Sequence, residues 1–145
     1  MILFSSALEL ALNNINIMNN LVIDATKGKI FLSLIIGKNI YTCSHENIKS
    51  NFEKLIILIT DFLDKNKTSI KKIDKIYVNR GPGSFAGIRN SLSIVKGLYL
   101  TQKIDYYCFS FDDFDNSTNI KYKDVPILCD KFKIKKNLIK PLYLS

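Results

Sequence analysis

Apolar and polar positions along the chain change period several times, and each change predicts an element. Residues 21–24, Leu-Val-Ile-Asp, read as a short buried strand, and 25–29 as a turn. Residues 30–36 are nearly all apolar and predict a second, central strand. Gly37-Lys38-Asn39 predicts a hairpin turn, and 40–43 a third strand, more polar and so nearer an edge. The spacing then becomes helical over about 49–63. Phe52, Leu55, Ile56, Ile59, Phe62 and Leu63 recur at i, i+3, i+4, i+7, i+10 and i+11. Ile57 and Leu58 make this apolar face wider than a helix packed on one side needs. After a polar link at 64–69 come a fourth strand at 73–78, a glycine loop, and a second helix over 88–100. That helix carries Ile88, Leu92, Val95 and Tyr99 on one stripe. It also holds two small-xxx-small pairs, Gly87 with Ser91 and Ser93 with Gly97. Residues 105–110 predict a fifth strand, 111–114 one helical turn, 116–119 a loop, and 125–129 an edge strand, since Pro126 lacks an N–H. The tail over 131–140 is basic and weakly patterned.

The order β-β-β-α-β-α-β predicts an α/β fold with a mixed five-stranded sheet and helices packed on it. Right-handed crossovers make the last two strands parallel to the first. This is the ribonuclease H-like layout, also the half-unit of actin-like folds.

Composition changes this picture little. A chain of 145 residues, 47% hydrophobic, has room for one domain with a real core. The net charge of +8 permits an RNA or other anionic partner. Yet the basic residues are nearly all Lys in a chain also rich in Ile and Asn, which AT-rich codon drift alone would produce. Cys43, Cys108 and Cys129 are odd in number and far apart, so free thiols in a reducing cytoplasm are expected. No apolar run is long enough for a membrane span. Residues 1–17 have no basic region ahead of their apolar stretch and read as an extension before a natural start at Met18. The rival reading is a short amphipathic helix at 6–12.

The stretch with most chemical content is Gly81-Pro82-Gly83-Ser84-Phe85-Ala86-Gly87-Ile88-Arg89. Gly81 and Gly83 allow backbone angles that a Cβ forbids, Pro82 stiffens the turn, and Ser84 is an N-cap candidate. Such a loop can aim N–H groups at an anion before a helix. No Lys-Ser/Thr pair follows Gly87, so it is not a phosphate-binding P-loop. Gly81, Gly83 and Ala86 satisfy the dinucleotide pattern, but after the fourth strand and not the first. A two-metal nuclease needs several converging carboxylates. Asp24 and Glu53 are candidates, but Asn79 stands where the fourth strand would supply another. His45 is the only histidine, so a histidine-pair metal site cannot be built and no catalytic or metal-ligating residue is assigned. Ser84 reads as a cap ahead of a nucleophile.

Residues 81–100, GPGSFAGIRNSLSIVKGLYL, resemble the signature of the TsaB (YeaZ) family, close to GPGSFTGLRIGLATAKGLA, at Gly81, Pro82, Gly83, Ser84, Phe85, Gly87, Arg89, Lys96, Gly97 and Leu98. Ile23-Asp24-Ala25-Thr26 resembles the family's opening strand and turn, Glu53-Lys54-Leu55 the start of its first long helix, and Pro141-Leu142-Tyr143-Leu144 its C-terminal ending. The resemblance covers residues 18–114 as an N-terminal lobe, plus the tail; 115–145 is read as the remnant of a second lobe. It implies an actin-like fold and a non-catalytic scaffold subunit, without cofactor. Such a subunit binds the transferase TsaD and, with a TsaE-type ATPase, supports threonylcarbamoyladenosine formation at position 37 of tRNA, the tRNA being an indirect partner. It implies that the two helices bundle with TsaD or with a second copy of the chain. The residues predicted at that surface are Leu55, Ile57, Leu58, Ser91 and Val95. Ile57 and Leu58 are expected to face outward, while Phe52, Leu55, Ile59 and Phe62 hold the helix to the sheet. The competing readings are a nucleotide- or phosphate-binding domain using the Gly81–Gly87 loop, and a decaying paralogue without activity.

Overall fold

The computed structural model describes residues 17–115 and 119–143. Five strands form one sheet: β1 Asn19–Asp24, β2 Lys29–Ile36, β3 Asn39–Glu46, β4 Lys75–Asn79 and β5 Asp105–Phe109, in spatial order β3-β2-β1-β4-β5. β1 and β2 run antiparallel, with Leu21 opposite Leu34 and Ile23 opposite Leu32. β2 and β3 are also antiparallel, whereas β4 lies parallel to β1 and β5 parallel to β4. This is the mixed sheet expected from the chain order. β3 is the exposed edge, as its polar composition predicted.

The helices are α1 Lys49–Glu53, α2 Leu55–Lys65, α3 Phe85–Gln102 and α4 Val125–Lys131. Alternation along the strands divides the apolar residues between two cores. Leu21, Ile23, Leu32, Ile76 and Val78 pack under α2 and α3. Val22, Tyr77 and Phe109 pack on the other face against Phe114, Val125 and Cys129. The segment beyond Phe114 therefore packs on the second face of the sheet, over β1, β4 and β5, and leaves the β3 edge of that face exposed. The two layers fold together into one compact unit.

Two expected elements differ from the structure. The single helix over 49–63 is two, because the backbone at Lys54 leaves helical geometry (φ −116°, ψ 25°). The helix restarts at Leu55, so the buried positions become Leu55, Leu58, Ile59, Phe62 and Leu63, an i, i+3, i+4, i+7, i+8 series. Residues 125–129 form a helix and not an edge strand. Pro126 occupies its first turn, where its missing N–H costs nothing. A strand would have set Val125, Ile127 and Cys129 on one face; instead Val125 and Cys129 are buried and Ile127 is exposed. The extension up to residue 16, the loop at 116–118 and the last two residues lie outside the described residues.

The thiols are free, and burial pushes Cys108 up to about 11 and Cys129 up to about 12, so both stay protonated at neutral pH. His45, beyond the expected end of the third strand at residue 43, lies half-buried on β3, its Nε2 3.8 Å from the Cys43 sulfur.

Candidate functional site

The loop from β4 into α3 is built by close backbone approach. Gly81 has φ +118°, and a Cβ there would strike the carbonyl oxygen of Leu142. A Cβ on Gly83 would strike the Thr26 carbonyl, and one on Gly87 the Ala25 carbonyl. These glycines let the loop and the first turn of α3 settle directly on the β1–β2 turn. Three of the loop's N–H donors are engaged inside the lobe. Gly81 N–H donates to Asn79 Oδ1 at 2.9 Å, and Ser84 N–H to the Thr26 carbonyl at 2.8 Å. Gly87 N–H donates to Ser84 Oγ at 3.2 Å, so Ser84 is the expected N-cap. The tail closes over the loop: Leu142 N–H donates to the Arg80 carbonyl at 2.8 Å, and Gly83 bridges to Tyr143. This geometry suits a structural joint, in which the Gly81, Ser84 and Gly87 N–H groups serve contacts within the lobe. On its outer side Phe85 is exposed, with Tyr143 4.7 Å away ring to ring and the Arg89 guanidinium 5.9 Å from the Phe85 centroid. Pro82 is exposed beside them.

Asp24, at the end of β1, is buried and fully engaged. Its Oδ1 accepts from the Thr26 N–H at 3.0 Å and the Thr26 hydroxyl at 2.7 Å. Its Oδ2 accepts from Asn79 Nδ2 at 3.0 Å and the Tyr122 hydroxyl at 2.7 Å. Burial first, and the Asp24 charge second, push the Tyr122 phenol far up, which keeps it a donor. Asn79 thus answers a carboxylate instead of adding one, and the node ties β1, β4 and the segment before α4 together. Among the described residues no cluster of three His, Cys, Asp or Glu could hold a metal ion. Glu53 is elsewhere, in an exposed pair with Lys49 at 3.9 Å.

Beside this node, Arg80 Nη2 and Nε donate to the two Asp113 oxygens at 2.7 and 3.2 Å. Burial alone would raise the Asp113 carboxyl. The Arg80 hydrogen bonds and charge and the Ser110 N–H outweigh it and hold the carboxyl below its ordinary range. A carboxyl so lowered stabilises the fold above its unfolded value and loses that contribution as pH falls through its folded one. The stability gap between the wild-type chain and Arg80→Met is therefore expected to be widest at neutral pH. It should narrow below the ordinary carboxylate range; urea titrations at the two pH values measure this.

Of the residues predicted at a partner surface, the structure leaves one on the outside. Ile57 is 54% exposed. Leu55, Leu58 and Val95 are buried in the lobe, because the restart at Lys54 turns Leu58 inward and Val95 shares the inner stripe with Ile88 and Leu92. Ser91 is buried too, its hydroxyl donating to the Gly87 and Ile88 carbonyls at 2.9 and 3.1 Å. The same phase change sends Ile56, expected on the core stripe, to the surface. Ile56 lines an open groove of ≈ 590 Å³ with Thr60 and Ile70 on one side and Leu98 and Gln102 of α3 on the other. Leu100 is exposed on α3, and Gly97 has open space where a Cβ would stand. Sequence reading missed Ile56 and the groove; the only signal was the helix phase, which depends on the unmarked break at Lys54.

Comparison with known proteins places this geometry. A family model described as TsaD, tRNA N6-adenosine threonylcarbamoyltransferase, matches residues 46–110. The curated tRNA threonylcarbamoyladenosine biosynthesis protein TsaB of Buchnera aphidicola subsp. Baizongia pistaciae is 35% identical, with 39% of this chain and 29% of that protein covered. TsaB of Buchnera aphidicola subsp. Schizaphis graminum is 30% identical, with 62% and 43% covered. The chain thus spans less than half the length of these relatives. Among solved structures, YeaZ from Pseudomonas aeruginosa superimposes with a TM-score of 0.59 at 22% identity over 64% of this chain and 44% of that one, a likeness of fold. No helix among the described residues is long and apolar enough to cross a membrane. The chain is similar to the TsaB (YeaZ) proteins of tRNA threonylcarbamoyladenosine biosynthesis over a single α/β lobe.

Proposed function

We propose that the chain is a non-catalytic scaffold subunit that supports threonylcarbamoyladenosine formation on tRNA in the cytoplasm by binding a TsaD-type transferase. One observation carries this reading: on the helices of the lobe, apolar side chains that the sheet does not need stand exposed. Ile56 on α2 and half-buried Leu98 on α3 line one groove with Asp61, Asp64 and Lys71, while Ile57 on α2 and Leu100 on α3 stand exposed outside its lining. Apolar surface with a polar rim is the usual form of an association site. The full use of Asp24 inside the lobe supports a scaffold role over a catalytic one. A TsaE-type ATPase would join through the transferase, and a second copy of the chain is the competing occupant of the groove.

Co-purification with the TsaD homologue of the same organism tests the proposal. The wild-type chain should form a complex at micromolar concentration. Ile57→Asp should weaken it about tenfold or more, since it carries a charge into a closing apolar interface, and should leave the urea midpoint of the isolated chain unchanged. Absence of any wild-type complex, or an unchanged affinity in Ile57→Asp, would remove this surface as the partner site.

A further inference from the structure

The chain's charge is not evenly spread. Residues 121–140 carry seven lysines against two aspartates, a net +5 in a chain whose total is +8. Codon drift enriches lysine everywhere and does not gather it, so the clustering needs another account.

In the structure this segment lies on the sheet face opposite α2 and α3, where it forms two clefts that share Lys133 and Ile134. The first, ≈ 450 Å³, has Tyr77 and Tyr107 on the sheet side and Lys75 and Lys136 at its edge. The two rings stack 5.1 Å apart at 13°, and the Lys75 ammonium lies 5.8 Å from the Tyr107 centroid. Asn20 lines the same cleft, and its buried Oδ1 finds no donor among the described residues. The second cleft, ≈ 300 Å³, is walled by Arg80, Lys135 and Lys140. Within this face Arg80 is paired with Asp113 and Lys136 with Asp105 at 3.7 Å. Lys75, Lys133, Lys135 and Lys140 make no ion pair among the described residues.

We infer that this face is an RNA-contacting surface, on which the lysines of the tail take the phosphate backbone. The inference rests on the proposed role in tRNA modification for the identity of the RNA. Unpaired cations gathered along two adjoining concave clefts are what a nucleic-acid phosphate backbone requires. An anionic lipid surface would instead call for a protruding apolar ridge beside the charges. Here the unpaired cations wall concave clefts, with Met18 and Ile127 the exposed apolar side chains of the first and Leu138 of the second, and vesicle binding is the rival outcome tested below.

The test is fluorescence anisotropy of the full chain with a labelled, unmodified tRNA transcript at low salt, without TsaD. Wild type should bind. The combined Lys133→Glu, Lys135→Glu and Lys140→Glu variant should lose about tenfold or more, with the slope of log affinity against log salt reduced by about two. A matched reversal across the sheet, Lys49→Glu, Lys54→Glu and Lys65→Glu, should change affinity less than about threefold. Glutamine in place of glutamate at the tail positions gives a milder set with the same ranking, should the charge reversal disturb folding. Equal losses in both sets, no binding of tRNA by wild type, or binding only to phosphatidylserine vesicles would each overturn the inference. TsaD co-purification of the same variants separates the two claims. A chain that holds TsaD but not tRNA refutes this face alone, and one that holds tRNA here but not TsaD refutes the scaffold role alone.

Discussion

Gly87→Ala is expected to destabilise the lobe by about 3 kcal/mol or more, although the same change inside an exposed helix would gain about 1 kcal/mol. The sign reversal comes from what the added methyl meets. A Cβ at Gly87 would strike the Ala25 carbonyl oxygen, with the Ala25 carbonyl carbon at 3.0 Å and its Cβ at 3.3 Å. Those atoms belong to the turn after β1, which is held through Asp24 and Thr26 and cannot step aside as a flexible side chain would. The first turn of α3 would have to lift from the sheet, taking Ile88 with it. Gly97, on the same helix, provides the internal control. Nothing lies within 4 Å of a Cβ there, so Gly97→Ala should stabilise the isolated chain by about 0.5–1 kcal/mol. Urea unfolding of the two variants beside wild type reads both effects. A Gly87→Ala chain as stable as wild type would mean that α3 does not sit on the Ala25–Thr26 turn.

Leu58→Asp should unfold the isolated chain or come close to it, with a loss of about 3–5 kcal/mol against the 5–15 kcal/mol typical of a small domain. Leu58 is 8% exposed on the inner face of α2, beside Leu55 and Ile59. An aspartate there removes a packed side chain and places a charge in an apolar, buried position. The neighbouring Ile57→Asp, at 54% exposure, should leave the melting curve of the monomer nearly unchanged. Thermal melts by circular dichroism compare the two directly. Equal stability of both variants would show that α2 is rotated from the facing described above.

This pair of residues also marks how far the sequence could be read. The strands were legible because apolar runs bounded by turn residues have few other uses, and the parallel pairing of β1, β4 and β5 followed from the handedness of crossovers. The Ser84 cap was legible because cap chemistry is local, whereas the packing of the glycine loop on the β1–β2 turn was not. The rotation of α2 was not. Its break at Lys54 falls in a run with neither glycine nor proline, and one residue of phase exchanges Ile56 and Leu58 between core and surface. Residues 125–129 misled for the same reason: five residues are too few to separate a two-residue from a four-residue period, and Pro126 fits a strand edge or a helix start equally.

What the chain order and its periodicity determined by themselves is the lobe: a mixed sheet, helices on it, and a glycine loop leading into α3. These depend on contacts between near neighbours and on rules of connection that hold for any chain. What only the tertiary structure decided is where each glycine and charge is spent. Gly81 yields to Leu142, Gly83 to Thr26 and Gly87 to Ala25, partners set far from them in the chain. Asp24 is shared among Thr26, Asn79 and Tyr122, which no spacing could have announced. The basic tail becomes a face only when α4 folds back over Tyr77 and Tyr107. Close approach and charge pairing are properties of distance in space, and the chain acquires those distances only when its two cores close on the sheet.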